Sequence, residues 1–280
     1  MHARRESGNI GTTTRYRNRG GNGTQAASGV MAHSRLTRTP AIQQFDIKPG
    51  RVLARKYEVI QQLGRGWEGE VFLVRERHTD IERAVKLFYP QRNPRDRVSN
   101  CYARKLHKLR HCPIAIQYHA HDTISYKGTP VTLLVSDFVE GELLSEFLQR
   151  QPGKRLSAFQ ALHLLHALAA GIECIHQMKE YHGDLHSENI IVQRYGLGFE
   201  LKLLDFFHWG TPRPENVRHD VIHLVKILYE AIGGHAHYRK QPPEIKAICC
   251  GQKHSLILKK FRTAGQLREH LENLQWEPHQ

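Results

Sequence analysis

"LGRGWEGEVF", residues 63–72, sets Gly64, Gly66 and Gly69 in the order GxGxxG. Two nucleotide-binding architectures share this pattern, and the element after the glycines decides between them. A dinucleotide-binding turn needs a helix next, because the helix N-terminus holds the pyrophosphate. Here the next residues are "EVFLVRE", which read as a strand. The glycines therefore join two strands, and a hairpin tip without Cβ atoms can lie close over phosphates.

Outward from this tip, "YEVIQQLGRGWEGEVFLVRERHTDIERAVKLFY" (57–89) reads as three antiparallel strands, with "RHTD" as the second turn. Val71 would lie under a bound base. On the third strand Lys86 stands between apolar neighbours, and the two-residue period turns Ala84 to the same side. A half-buried lysine opposite a glycine loop suits the α- and β-phosphates. The other reading of this segment is a surface lysine on an edge strand.

The chain has 280 residues, 40% of them hydrophobic, enough for one large core or two smaller lobes. No membrane insertion is expected, since no apolar run approaches the roughly eighteen residues that cross a bilayer, and the start shows no apolar block with a cleavage site. Five cysteines without CxxC spacing argue against a disulfide framework and for a reducing cytoplasm. The net charge of +14 is uneven: residues 1–50 carry eight Lys/Arg against two acids, Glu6 and Asp46. This segment lacks apolar periodicity and is expected to be a disordered basic tail, with Met31 as a second candidate start. No aromatic ladder accompanies its arginines, so nucleic acid is not the expected partner.

Farther on, "SAFQALHLLHALAAGIECIHQMK" places Ala161, Leu165, Leu168, Ile172 and Ile175 on one helical face, a core helix. It delivers "YHGDLHSENII" (181–191), an aspartate, two histidines and an asparagine within nine positions, which alone fits any polar turn. "NIIVQRYGLGFELKLLD" then reads as two strands around "YGLG", bringing Asp205 back beside Asn189. Helical patterns at 215–232 and 254–273 complete a mainly helical second part. His107 with His111, and His219 with His223, stand four apart on expected helices, but no third ligand is near either pair. Cys249 and Cys250 read as core packing at a helix end.

Taken together, residues 57–273 resemble the protein kinase superfamily. "LGRGWEGEVF" is similar to its glycine-rich loop, "AVK" to its strand-three lysine, "HGDLHSEN" to its catalytic loop and "LLDFF" to its metal-binding segment. "LLVSDFVEGELL" resembles the hinge, with Ser136 in the gatekeeper place. The resemblance implies an α+β, two-lobed fold at 51–275: a small antiparallel β-sheet lobe at about 57–135, a hinge at about 136–141 and a mainly helical lobe at about 142–275. It implies that ATP is bound by Leu63, Gly64, Gly66, Gly69, Val71, Ala84, Lys86 and Ile191, with the backbone of Asp137 and Val139 meeting the adenine. Asp184 would orient and deprotonate the acceptor hydroxyl, and Asn189 and Asp205 would hold Mg²⁺.

The departures are as specific as the matches. The family's lysine pairs with a glutamate on the next helix, yet Asp96 is the only acid between Lys86 and His111, and Tyr102 falls in the glutamate's place. Asp96, a residue from elsewhere or phosphate contacts alone would then hold Lys86. Gly183 replaces an arginine that receives a phosphorylated activation segment, and only fifteen positions separate Asp205 from Asp220. Phe207 in place of a glycine is expected to restrict Asp205. The implied function is an ATP- and Mg²⁺-dependent serine/threonine protein kinase of the compact bacterial kind, with a protein hydroxyl as acceptor. The "HGDLH" sequence, similar to aminoglycoside and choline phosphotransferase loops, keeps a small-molecule acceptor open, and the missing glutamate keeps an ATP-binding pseudokinase open.

Overall fold

A computed structural model of the chain describes residues 41–196, 198–206 and 211–275. The expectations for residues 1–40 and for Phe207 lie outside the described residues.

The three expected strands are β2 (Tyr57–Arg65), β3 (Gly69–Glu76) and β4 (Glu82–Phe88). With β1 (Val52–Leu53), β5 (Tyr118–Tyr126) and β6 (Thr129–Asp137) they form a six-stranded antiparallel sheet in the order β1-β2-β3-β4-β6-β5. Directly paired residues share a face. One face carries Phe72, Val74, Val85, Leu87, Leu133 and Val135, which close a core with Tyr57, Val59 and Tyr126. The other face lines up Val71, Lys86 and Leu134, and beside them Leu73, Ala84 and Ser136. This overturns the edge-strand reading of Lys86: β4 is flanked by β3 and β6, and the lysine side chain is 13% exposed.

The tail boundary at residue 50 also needs correction. Phe45 is buried and stacks on Tyr89, and its N–H donates to Glu70 Oε1 at 2.9 Å. The Asp46 N–H donates to the Tyr126 hydroxyl at 2.7 Å. Glu70 is fully buried, and the Tyr89 hydroxyl and Gln62 amide also donate to it, so its desolvation is offset by hydrogen bonds. Low hydrophobicity over residues 1–50 as a whole hid an apolar patch at Ile42, Phe45 and Ile47 that covers this sheet.

Helix α1 (Arg97–Lys108) comes after β4, and beyond β6 come β7 (Glu142–Leu143), α2 (Leu144–Arg150) and α3 (Ala158–Gln177). The Ser157 hydroxyl accepts from the Gln160 N–H while the Gln160 amide accepts from the Ser157 N–H, a capping box that starts α3. Its expected face is buried throughout, each large side chain contributing roughly 1.5–3 kcal/mol. Contrary to the expectation, α3 does have the length and apolar composition of a membrane span. Its apolar face packs inside the protein, against α4 (Pro214–Ala231) and α8 (Ala264–Glu272), while Phe159 in the first turn is exposed.

β8 (Ile190–Tyr195) and β9 (Gly198–Leu203) pair antiparallel, and β7 joins β8 to make a three-stranded sheet. Short helices α5 (Gly234–Tyr238), α6 (Pro243–Cys249) and α7 (His254–Lys260) precede α8. The single helical pattern at 254–273 is therefore two helices. Thr263 breaks it by capping α8, its hydroxyl accepting from the Gln266 N–H, while the Gln266 side chain accepts from the Arg262 N–H.

Candidate active site

The segment between α3 and β8 is held from beneath. Asp220, fully buried on α4, accepts from the N–H groups of His182 and Gly183 at 2.8 Å each and from His176 at 3.0 Å. Burial alone would raise the Asp220 pKa, but hydrogen bonds from His176, Gly183 and His182 bring it below the ordinary carboxylate value. Gly183 has φ +84°, a left-handed conformation that an arginine would adopt only with strain, which accounts for the glycine at this point. His182 is fully buried, and burial pushes its pKa down to about 4, so the ring is neutral. As a neutral ring it accepts the Asp184 N–H at Nδ1 and donates from Nε2 to the Leu204 carbonyl at 2.9 Å. One imidazole thus ties the loop to the segment carrying Asp205. Sequence reasoning misses this residue, and the one signal for it is a histidine two positions before Asp184.

On this mount Asp184 projects outward, its side chain 60% exposed. Asn189 donates from Nδ2 to the Asp184 carbonyl at 2.9 Å and reaches His186 Nε2 at 2.9 Å, which leaves its amide oxygen for a cation. The β8–β9 hairpin pairs Ile190 with Leu203, and the Leu204 N–H donates to the Asn189 carbonyl at 2.9 Å. Asp205 therefore emerges next to Asn189. Its backbone turns through φ +48°, and its carboxylate meets Lys86 Nζ at 2.8 Å, joining the small sheet to the helical part.

Lys86 has a second carboxylate partner. Glu68, between Gly66 and Gly69, places Oε2 3.2 Å from Lys86 Nζ. Asp96 is excluded from this role, since it accepts from Thr132 and Asn93 instead. Tyr102 of α1 lies in the glutamate's expected place, its ring centroid 5.2 Å from the ammonium. Burial would lower the Lys86 pKa, but Asp205, Tyr102 and Glu68 more than offset it and hold the lysine above its ordinary value. Helix α1 is tethered in turn: Lys108 and Lys105 meet Glu180 at 2.8 and 3.7 Å, just ahead of the catalytic loop.

Around this cluster lie the other expected nucleotide contacts. Leu63 and Gly64 lie in the last residues of β2 before Arg65, with Gly64 opposite Val71 and Val71 opposite Lys86. The Gly66 N–H donates to the Gly69 carbonyl at 2.8 Å, closing the hairpin tip. A Cβ on Gly69 would meet the Leu87 carbonyl oxygen at 1.9 Å, whereas one on Gly64 would meet nothing within 4 Å. The carboxylate of Asp137 is held by His119 at 2.5 Å and Arg83 at 3.1 Å, and its N–H donates to the Gln117 carbonyl. Val139, between β6 and β7, and Ile191 on β8 flank one small depression. Val71, Ala84 and Lys86 thus share one face of the sheet, where Asp205 meets Lys86 and Asn189 and Asp184 adjoin it, with Val139 and Ile191 together at the small depression.

Residues 57–217, more than half of the chain, match the protein kinase domain family. The chain belongs to the protein kinase family. Among curated kinases it is 28% identical over 213 residues to serine/threonine-protein kinase Nek11 of Homo sapiens, covering 65% of this chain and 32% of that one. It is 30% identical over 157 residues to serine/threonine-protein kinase pkn2 of Myxococcus xanthus, covering 55% and 18%. The chain thus spans about a third or less of these relatives' length. Among solved structures, the kinase domain of Mycobacterium tuberculosis PknI superposes with a TM-score of 0.59 at 19% identity, covering 81% of this chain and 98% of that one, which shows the shared two-lobed fold.

Protein kinases generally use ATP and Mg²⁺. The donor set here fits that cation: one carboxylate and one amide oxygen are hard ligands, and magnesium is commonly held by one or two carboxylates plus phosphate oxygens. Among the described residues no cluster of three or more His, Cys, Asp or Glu is placed to hold a metal.

Proposed function

We propose that this kinase transfers the γ-phosphoryl group of Mg²⁺-bound ATP to a serine or threonine hydroxyl of a protein. The observation that carries the reading is the 2.8 Å contact between Lys86 and Asp205, with Asn189 and Asp184 fastened beside them. Lys86 would neutralise the α- and β-phosphates as a charged donor, and the hairpin at Gly64, Gly66 and Gly69 would cover them with backbone N–H groups. The Asp137 carbonyl and Val139 N–H would meet the adenine edge, with Leu63, Val71, Ala84 and Ile191 against its faces. Mg²⁺ held by Asn189 and Asp205 would supply charge neutralisation at the phosphates. Asp184, exposed at the mouth, would accept the acceptor's hydroxyl hydrogen and aim its oxygen in line.

Support for a protein acceptor comes from relatives that are themselves named serine/threonine-protein kinases. The pseudokinase reading loses its motive, because Glu68 supplies a carboxylate to Lys86. A small-molecule acceptor keeps one observation in its favour: His186, part of the "HGDLH" sequence similar to aminoglycoside and choline phosphotransferase loops, lies 3.6 Å from the Asp184 carboxylate. Labelled ATP offered with generic protein acceptors, and separately with aminoglycosides and choline, tests the choice. Label on protein is expected; label on small molecules alone would reverse it. All five cysteines are free thiols, which supports a cytoplasmic home.

A further inference from the structure

Where a helix glutamate would hold Lys86, α1 presents Tyr102, and this aromatic ring fills the space. It is 3% exposed, and its hydroxyl is hydrogen bonded to the Asp205 backbone. On that side the ammonium meets an aromatic ring in place of a carboxylate. The carboxylate arrives from the opposite wall, on Glu68, whose side chain is 19% exposed.

Main-chain bonds decide whether Glu68 belongs to the hairpin tip or to the sheet. The Tyr89 N–H donates to the Glu68 carbonyl at 2.8 Å, which ties Glu68 to the end of β4. The next residue, Gly69, pairs with Phe88 and approaches the Leu87 backbone so closely that no Cβ fits. The alternation of a strand then separates two acids: Glu70 turns into the upper core, and Glu68 turns to the face of Lys86.

We propose that Glu68 is the positioning residue for Lys86, clamping the ammonium from the base of the glycine-rich hairpin in place of a helix carboxylate. An ammonium has three donors. Two are taken by Glu68 and Asp205, and the third remains for a phosphate oxygen. The clamp is therefore anchored in the sheet and stands without nucleotide, while α1 is held by Glu180 and Tyr102. This proposal rests on the assignment of Lys86 to the nucleotide site.

The test uses Glu68→Gln, nearly isosteric and partly exposed, with two readouts on the full chain. The first is the rate of Lys86 modification by an amine-directed reagent at one fixed pH without nucleotide, followed by peptide mapping. Loss of the carboxylate that holds the ammonium is expected to raise this rate severalfold in the variant, whereas an equal rate overturns the contact. The second is ATP turnover and binding. A drop in kcat/KM of about tenfold to a hundredfold is expected, the worth of a charge-assisted hydrogen bond. Tighter ATP binding in Glu68→Gln would overturn the proposal, since Glu68 would then only occupy the phosphate position. Wild-type protein that binds no ATP would remove the nucleotide site itself, a failure told apart because the modification rate needs no nucleotide.

Discussion

At the scale of single residues, His182 shows how burial sets chemistry. Its folded-state pKa of about 4 lies below the ordinary histidine value, so the unfolded chain takes up the proton first as pH falls. The ring's contribution is present above about pH 6.5 and is lost as pH drops toward 4, on the order of 3 kcal/mol in all. Thermal midpoints are expected to fall from about pH 7.5 to about pH 5, and less steeply in His182→Asn. Burial pushes His223 down to about 4 as well, so the variant flattens the slope without abolishing it. Asp220, whose pKa is lowered from an ordinary value of 3.8, acts only in more acid solution. An equal slope in both proteins would remove His182 from this role. Lys86, Asp184, Asn189 and Asp205 were legible in the sequence because each stands in a short motif. Glu68 was not, because the expected partner of Lys86 lies on the next helix, and a carboxylate within a glycine loop reads as a solvated turn residue.

At the scale of elements, the glycine hairpin is both a flap and a splice in the sheet. Gly69→Ala is expected to destabilise by about 1–3 kcal/mol, because its Cβ would force β3 away from the Leu87 carbonyl. Gly64→Ala, which meets nothing within 4 Å, is expected to leave the denaturation midpoint nearly unchanged. Equal midpoints for the two variants would contradict this division. The period of the apolar residues was enough to place α3 and the β8–β9 hairpin, since each buries one continuous face. It missed the break before α8, where a threonine cap outweighs an apolar pattern that runs straight through it.

At the scale of the whole molecule, the folded kinase domain extends farther toward the N-terminus than its motifs do. Phe45 closes the outer face of the small sheet against Tyr89 and Tyr126. Phe45→Ala is expected to cost about 3–5 kcal/mol in denaturant unfolding; a loss no larger than that of an exposed side chain would return residues 41–50 to the tail. The sequence hid this because averaging charge and hydrophobicity over fifty residues dilutes three apolar ones. The small sheet and the helical part meet at Lys86 and Asp205, and the account stands on what that meeting does. The most direct measurement is transfer of the labelled γ-phosphate by wild type and Asp184→Ala, with ATP affinity determined for both. Transfer is expected to fall by roughly 10²–10⁴ while ATP affinity stays the same; undiminished transfer by Asp184→Ala would contradict the account.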